Sequence, residues 1–285
     1  MKPIIKWPGG KGQVLSELKK YIDVDKLNGH VFYEPFIGGG ALAFDLGYKY
    51  TTISDINPEL VNLYKVIRQY PESLIQELKI HQDQHCNPKL APGEWYYTIR
   101  DLDQEPGFWQ RPSTEIAART IYLNKTCFNG LYRVNSKGYF NTPLGRTSNG
   151  KCPDIVQEEA IRELSAFLKG VRIREGDYAE AIKDAEPGDW VYFDPPYDPD
   201  EEIKTGGFVG YQKEGWTRED TIRLKTVCDK LTAKGCKLIV SNNDTAFIRE
   251  LFKDYKIHEV DVRRSINRNG DNRKGKEVII TNYEN

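Results

Sequence analysis

Two strand–helix units stand one after the other near the start of the chain, and they constrain its fold more than any other feature. VFYEPF (Val31–Phe36) reads as a short apolar strand, which IGGG turns into the helix-like ALAFDLGY. YTTIS (Tyr50–Ser54) is a second strand, ending in Asp55. NPELVNLYKVIRQY follows, with Asn57 placed as an N-cap, Pro58 at the first helical position and apolar residues at helical spacing. Strand–helix–strand–helix is the pattern of a parallel sheet. It resumes late in the chain with VRIRE, YAEAIKDA and DWVYF, then the long helix REDTIRLKTVCDKLTAKG closed by Gly235, then CKLIVSN and DTAFIRELFKDY. IHEVDVR and EVIITNY read as a closing antiparallel pair, which brings the expected sheet to about seven strands.

Between the two stretches the alternation breaks. Pro71–His85, Gly93–Leu102, Thr114–Lys125 and Ile155–Leu168 are helical in pattern, with a Gly- and Asn-rich irregular loop among them. The expectation is an α/β chain in which residues 1–70 and 168–285 build one sheet domain and residues 71–167 form an inserted, mainly helical unit.

WVYFDPPYDP (Trp190–Pro199) ends a strand abruptly. Two prolines lack the N–H groups a ladder needs, so the chain stiffens after Asp194 and presents Tyr197. Ligands of open α/β sheets bind outside the carboxyl ends of the strands, where this carboxylate, rigid turn and ring would lie. A plain surface turn is the bland alternative. The glycines Gly38, Gly39 and Gly40 follow the first strand, where they let backbone approach a ligand and expose helix N-terminal N–H groups. Their spacing is not that of a dinucleotide fingerprint. Asp55, 17 residues after Gly38, is placed to bind ribose hydroxyls. In KWPGGKG, Trp7 and Lys11 would suit a cap over a nucleoside and its carboxylate; a disordered tail is the alternative. Asp177 and Tyr178 stand at another strand end, near the expected adenine end of such a ligand, although Asp177 serves equally well as a helix N-cap.

The net charge of −1 does not predict a nucleic-acid binder, but its distribution does. From Arg119 to Lys151 there are six basic residues (Arg119, Lys125, Arg133, Lys137, Arg146, Lys151) and no Asp or Glu. Local charge attracts phosphates, whatever the total. RRSINRNGDNRKGK (Arg263–Lys276) is a second basic tract, as readily a solvated loop as a functional one. No apolar run approaches the ~18 residues of a membrane span, and the N-terminus lacks a signal-peptide pattern. Five cysteines without C-x-x-C spacing argue against a disulfide framework and against zinc. A cytoplasmic protein without a metal is expected, a monomer in solution.

KWPGGKG, EPFIGGG, SDINPEL, NKTCFNGLYRVN, GYFNTPLGR, GDY, YFDPPY and EVIITNY together resemble the Dam group of DNA adenine N6-methyltransferases, over nearly the whole chain and in the same order. The resemblance implies a Rossmann-like, seven-stranded class I methyltransferase sheet, an inserted target-recognition domain, and S-adenosyl-L-methionine as cofactor. It implies cofactor contacts from Trp7, Lys11, Glu34, Phe36, Gly38, Gly39, Gly40, Asp55, Asp177, Tyr178 and Asp194. Asp194 and the Pro195 carbonyl would accept hydrogen bonds from the adenine N6 amino group, with Pro196 stiffening the turn and Tyr197 stacking on the base. On double-stranded DNA, Phe128 would fill the gap left by a flipped adenine. Asn129, Leu131 and Arg133 would read bases, Pro143 a thymine methyl and Lys6 the outer guanine, while Lys125, Asn135, Asn141 and Arg146 would hold phosphates. Thr147 stands where relatives often carry an aromatic residue. GATC is the expected site. The rival readings are an RNA adenine methyltransferase and a catalytically silent DNA-binding module. Protein glutamine methyltransferases are disfavoured, since they usually carry Asn before Pro-Pro-Tyr.

Overall fold

β1 (Phe32–Glu34), β2 (Thr51–Asp55), β3 (Arg172–Glu175), β4 (Trp190–Phe193), β5 (Lys237–Asn243), β6 (Lys256–Arg263) and β7 (Lys274–Thr281) form one sheet in the order β3-β2-β1-β4-β5-β7-β6. The computed structural model describes residues 1–27, 29–91, 93–146, 152–198, 215–263 and 274–284. The first five strands are parallel; β7 runs antiparallel to both β5 and β6. The strand order reverses between β1 and β4, which makes their carboxyl ends the topological switch point of the sheet.

The apolar runs have a simple cause. All four residues of β4 are buried. Trp190 and Tyr192 join the core on one face of the sheet, and Val191 and Phe193 join the core on the other. A strand covered on both faces needs apolar side chains at every position. Helices α1 (Leu15–Leu18), α2 (Ala41–Leu46) and α3 (Pro58–Gln69) belong to the first half of the sheet. α3 starts where the sequence places it: the Asn57 side chain accepts from the N–H groups of Glu59 and Leu60, with Pro58 next.

The inserted stretch carries α4 (Pro71–His85), α5 (Glu94–Arg100), α6 (Ser113–Thr126) and α7 (Glu158–Leu168). Their apolar sides do not form a separate core. Ile99, Ile121, Tyr122 and Leu164 are buried in the same cluster as Phe32, Ile53 and Leu60 of the sheet domain. After β3 come α8 (Tyr178–Ala181), α9 (Arg218–Lys234) and α10 (Ala246–Leu251). α8 is a single turn, shorter than the YAEAIKDA pattern suggests, because Ile182 leaves helical geometry at its C-cap.

Two expectations need correction. The cysteine number and spacing argue against a disulfide framework, yet Cys86 and Cys152 form one disulfide, 66 residues apart in sequence, with Cα atoms 5.8 Å apart. Gln82 of α4 brings them together: its amide donates to the Pro153 carbonyl at 2.8 Å and accepts from the Ile155 N–H at 2.9 Å. Arg119, counted above in the basic tract, is only 1% exposed and faces inward. Among the described residues no helix is long and apolar enough to cross a membrane, and no cluster of His, Cys, Asp and Glu is arranged to hold a metal.

Candidate active site

Because β1 lies between β2 and β4, the residues that end these three strands are neighbours. Glu34 ends β1, Asp55 ends β2 and Asp194 follows β4. The N-terminal segment closes over them and is no tail: Ile4 and Ile5 are buried, and the chain turns tightly at Pro8–Gly10, where the Gly10 N–H donates to the Trp7 carbonyl at 3.0 Å. The turn carries the Trp7 indole onto the glycine loop. Gly38 has φ 47°, and a Cβ built there would lie 2.7 Å from Trp7 Cδ1, so no other residue lets the indole lie so close.

The same turn carries Lys11 inward. Its Nζ lies 2.7 Å from Asp194 Oδ1, donates to the Gly9 carbonyl, and sits 4.7 Å from the centroid of the Tyr197 ring. Lys11, Asp194 and Tyr197 thus form one cluster. Loss of solvent pushes the Asp194 carboxyl up to about 6 in spite of the Lys11 ammonium, and Glu277 adds to the rise. Its side chain keeps 18% of its surface. Burial also pushes Asp55 up to about 6, against hydrogen bonds from the N–H groups of Gly38 (3.1 Å) and Asn57 (2.9 Å). Glu34 is buried, accepts from the Ala43 N–H at 2.8 Å, and is raised well above the usual carboxylate range by desolvation. On the far side of β1, the Phe36 and Tyr178 rings stack with centroids 5.1 Å apart.

Asp177 is otherwise occupied. It caps α8 through the Ala179 N–H and receives both terminal nitrogens of Arg223, at 2.7 and 2.8 Å. The Arg223 side chain holds this carboxyl below its usual value.

Pro195 and Pro196 stop the chain from continuing β4, and Asp198, the residue after Tyr197, fixes the turn. Asp198 is 2% exposed. Its N–H donates to Asn242 Oδ1, its carbonyl accepts from Asn243 Nδ2, and its carboxylate accepts from Arg218 (2.9 Å) and Thr245 (2.8 Å). Asp198, like Glu277, was not among the residues singled out from the sequence. Asp198 could have been, since it directly follows the motif; Glu277 opens the EVIITNY stretch, but nothing in that stretch marks what its carboxylate meets.

The acid-free loop forms an irregular hairpin, with bridges Cys127–Leu144 and Val134–Phe140. Phe128, at its base beside the Cys127–Leu144 bridge, is 49% exposed, and its N–H donates to the Pro143 carbonyl. Asn129 takes φ 56°, and Pro143 and Arg146 are exposed. The Arg133 guanidinium donates to Asn141 Oδ1 at 2.8 Å, so the two side chains project together. Asn135 spends its side-chain oxygen on the N–H groups of Lys137 and Tyr139. Lys125 is half-buried and donates to Gln157. Leu131 is half-buried, and its carbonyl accepts from Thr142. Lys6 joins this loop through Asn124, which accepts from the Lys6 N–H (2.8 Å) and donates to the Lys6 and Gly130 carbonyls (2.6 and 3.1 Å). Asn124 is a link that sequence reading missed. The structure thus ties Lys6 to the hairpin that carries Phe128, Arg133 and Asn141, and the Tyr132 ring of that hairpin lies 4.8 Å from Trp7 of the N-terminal turn. Thr147 and most of the second basic tract, residues 264–273, lie outside the described residues.

The chain is 40% identical to the type II methyltransferase M1.LlaDCHI of Lactococcus lactis subsp. cremoris, covering 100% of this chain and 96% of that protein. It is 39% identical to the type II methyltransferase M.MjaIII of Methanocaldococcus jannaschii, covering 99% of each. With the DNA adenine methylase of Escherichia coli K12 the identity is 29%, over 99% of this chain and 95% of that one. A family model described as D12 class N6 adenine-specific DNA methyltransferase matches residues 7–266, from the tryptophan of the N-terminal turn, through the inserted helices, into the second basic tract. This chain therefore belongs to the D12 class of N6 adenine-specific DNA methyltransferases.

Proposed function

We propose that the chain transfers a methyl group from S-adenosyl-L-methionine to the N6 of an adenine flipped out of double-stranded DNA, at a short site for which GATC is our choice. The observation that carries this reading is the Lys11–Asp194–Tyr197 cluster at the end of β4, beside the glycine turn and Asp55. The donors available there suit the cofactor. Asp55 offers a carboxylate to a diol, Phe36 and Tyr178 offer rings to a purine, and Lys11 offers an ammonium to a carboxylate. Glu34 lies beneath the glycine turn, and Asp177 would reach the nucleoside only by sharing itself with Arg223. When bound, the sulfonium cofactor supplies an electrophilic methyl group.

The chain's own residues then have three tasks. An adenine N6 lone pair is delocalised into the ring and is a poor nucleophile. Asp194 Oδ and the Pro195 carbonyl accept hydrogen bonds from the two N6 hydrogens and favour a pyramidal, more nucleophilic nitrogen. The Tyr197 ring, with Lys11 over one face, offers the other to the base. The rigid Pro195–Pro196 turn keeps these groups in line for displacement at the methyl carbon, where orientation supplies much of the rate. Residues 1–70 and 168–285 carry this chemistry in the proposal, and residues 71–167 read the DNA. The protein would work in the cytoplasm, as a monomer, without a metal.

Mass detection of N6-methyladenine after incubation with cofactor tests the reaction. Duplex DNA should be modified and RNA not; modified RNA alone, or no product with tight duplex binding, selects one of the rival readings.

Asp55→Ala should raise the Kd for S-adenosyl-L-methionine roughly ten- to hundredfold, the equivalent of about 1.5–3 kcal/mol for charge-assisted hydrogen bonds. Asp55→Asn should fall between. Unchanged affinity by calorimetry would remove Asp55 from the ribose site.

The hairpin gives a second test. Base contacts carry sequence information and phosphate contacts do not. Arg133→Ala should lose about 1–3 kcal/mol of discrimination at one base pair. Arg146→Ala should weaken all sequences alike and lower the salt slope of log K by about one. The check is binding to every single-base variant of the preferred site at several salt concentrations. If Arg133→Ala leaves the ratios among sites intact, Arg133 is a phosphate anchor.

A further inference from the structure

β7 is the reversed strand of the sheet, so its beginning lies at the edge where the parallel strands end. Register places Glu277 of β7 opposite Asn243 of β5. Asn243 and its neighbour Asn242 are the residues that hold the backbone of Asp198. Glu277 therefore stands beside the end of the Asp-Pro-Pro-Tyr turn, although 80 residues separate it from Tyr197. The Tyr197 phenol donates to Glu277 Oε2 at 3.1 Å. The Lys11 ammonium sits over the ring of the same tyrosine and on Asp194.

We propose that Glu277 is a positioning residue for methyl transfer: by accepting the Tyr197 phenol hydrogen, it fixes the plane of the ring on which the target base stacks. The inference rests on the reading of Asp194–Tyr197 as the active site. Two prolines set the backbone before Tyr197 and Asp198 pins the backbone after it, which leaves the two side-chain rotations of Tyr197 undetermined. Lys11 acts on the ring face and Glu277 on the ring tip, and together they fix both. A carboxylate is a suitable acceptor, because a hydrogen bond to an ionised oxygen is stronger and more directional than one to water. A stacking platform held in one orientation speeds reaction without holding the DNA more tightly, since the gain lies in alignment.

Single-turnover methyl transfer on a preferred-site duplex, with duplex and cofactor affinities measured alongside, tests this. Glu277→Ala should slow the transfer step about ten- to hundredfold, with both affinities within about twofold of the parent protein. Glu277→Gln should recover most of the rate, because its amide oxygen still accepts from the phenol. Tyr197→Phe removes the donor, so adding Glu277→Ala to Tyr197→Phe should cost nothing more. Three results overturn the proposal: a parental rate in Glu277→Ala, a Gln variant as slow as the Ala variant, or a full additional loss in the double variant. Where Glu277→Ala fails to fold, the Gln variant and the Tyr197→Phe pairing with it still decide. Asp194→Ala separates the two levels. If it retains full turnover, the active-site reading fails. If it is inactive while Glu277→Ala is not slowed, only the role of Glu277 fails.

Discussion

Asp194→Ala is expected to lower the single-turnover rate of methyl transfer by roughly a hundred- to ten-thousandfold, the range for losing one well-placed group acting on a proton in the transition state. Duplex binding should be nearly unchanged, because Asp194 lies at the end of β4 and the exposed arginines lie on the hairpin. Asp194→Asn should retain more activity than Asp194→Ala, since an amide oxygen still accepts one hydrogen bond. The pH profile supplies a second check. The carboxyl is raised to about 6 because burial outweighs Lys11. The ionised carboxylate is the stronger acceptor and a protonated carboxyl the weaker one, so the parent rate should fall as pH drops through about 6; an unperturbed carboxyl would hold its rate down to about 4. Asp194→Asn should lose that acid limb. Tritium transfer at the parental rate in Asp194→Ala would sink the mechanism.

The second large effect is on stability. Arg119→Met should cost about 3–5 kcal/mol, the usual consequence of taking one partner from a buried ion pair. Arg119 lies 2.9 Å from both Glu59 and Asp103; its Nε donates to the Ile99 carbonyl, and the Nη2 that faces Asp103 donates to the Arg100 carbonyl as well. Without it two carboxylates stay in the core without their cation. The loss should reach the hairpin, because Tyr132 donates to Glu59 at 3.0 Å and the Phe140 N–H donates to Asp103 at 2.7 Å. DNA binding should therefore weaken although Arg119 itself cannot touch DNA. Adding Glu59→Gln and Asp103→Asn to Arg119→Met should recover part of the stability, since no unpaired charge then remains. Urea denaturation decides; a loss under about 1 kcal/mol would show that the network is not a structural keystone.

The places of several proposed site residues could be read from the chain because their signals are local. Asp194 is marked by two prolines that must end a strand, and Gly38 by a turn that only glycine permits beside an indole. Asp177 shows the limit of such reading. Its position at a strand end is legible, but its engagement by Arg223, 46 residues away, is not. Arg119 shows a stronger limit. In the sequence it belongs to a run without acids and looks like a phosphate contact. In the fold its two acids arrive from elsewhere, Glu59 from α3 and Asp103 from the turn after α5.

The amino-acid sequence by itself determined the strands, most helices, the helical stretch between β2 and β3 and the glycine turn, since periodicity, capping and chain-breaking residues act over a few neighbours, and its motifs gave the family. Only the tertiary structure decided which charges are buried, which cysteines pair and which residue holds the Tyr197 phenol. Those choices depend on strand order and direction. Reversing β7 brings the start of one strand to the ends of the others, and no pattern within β7 records which neighbour it will meet.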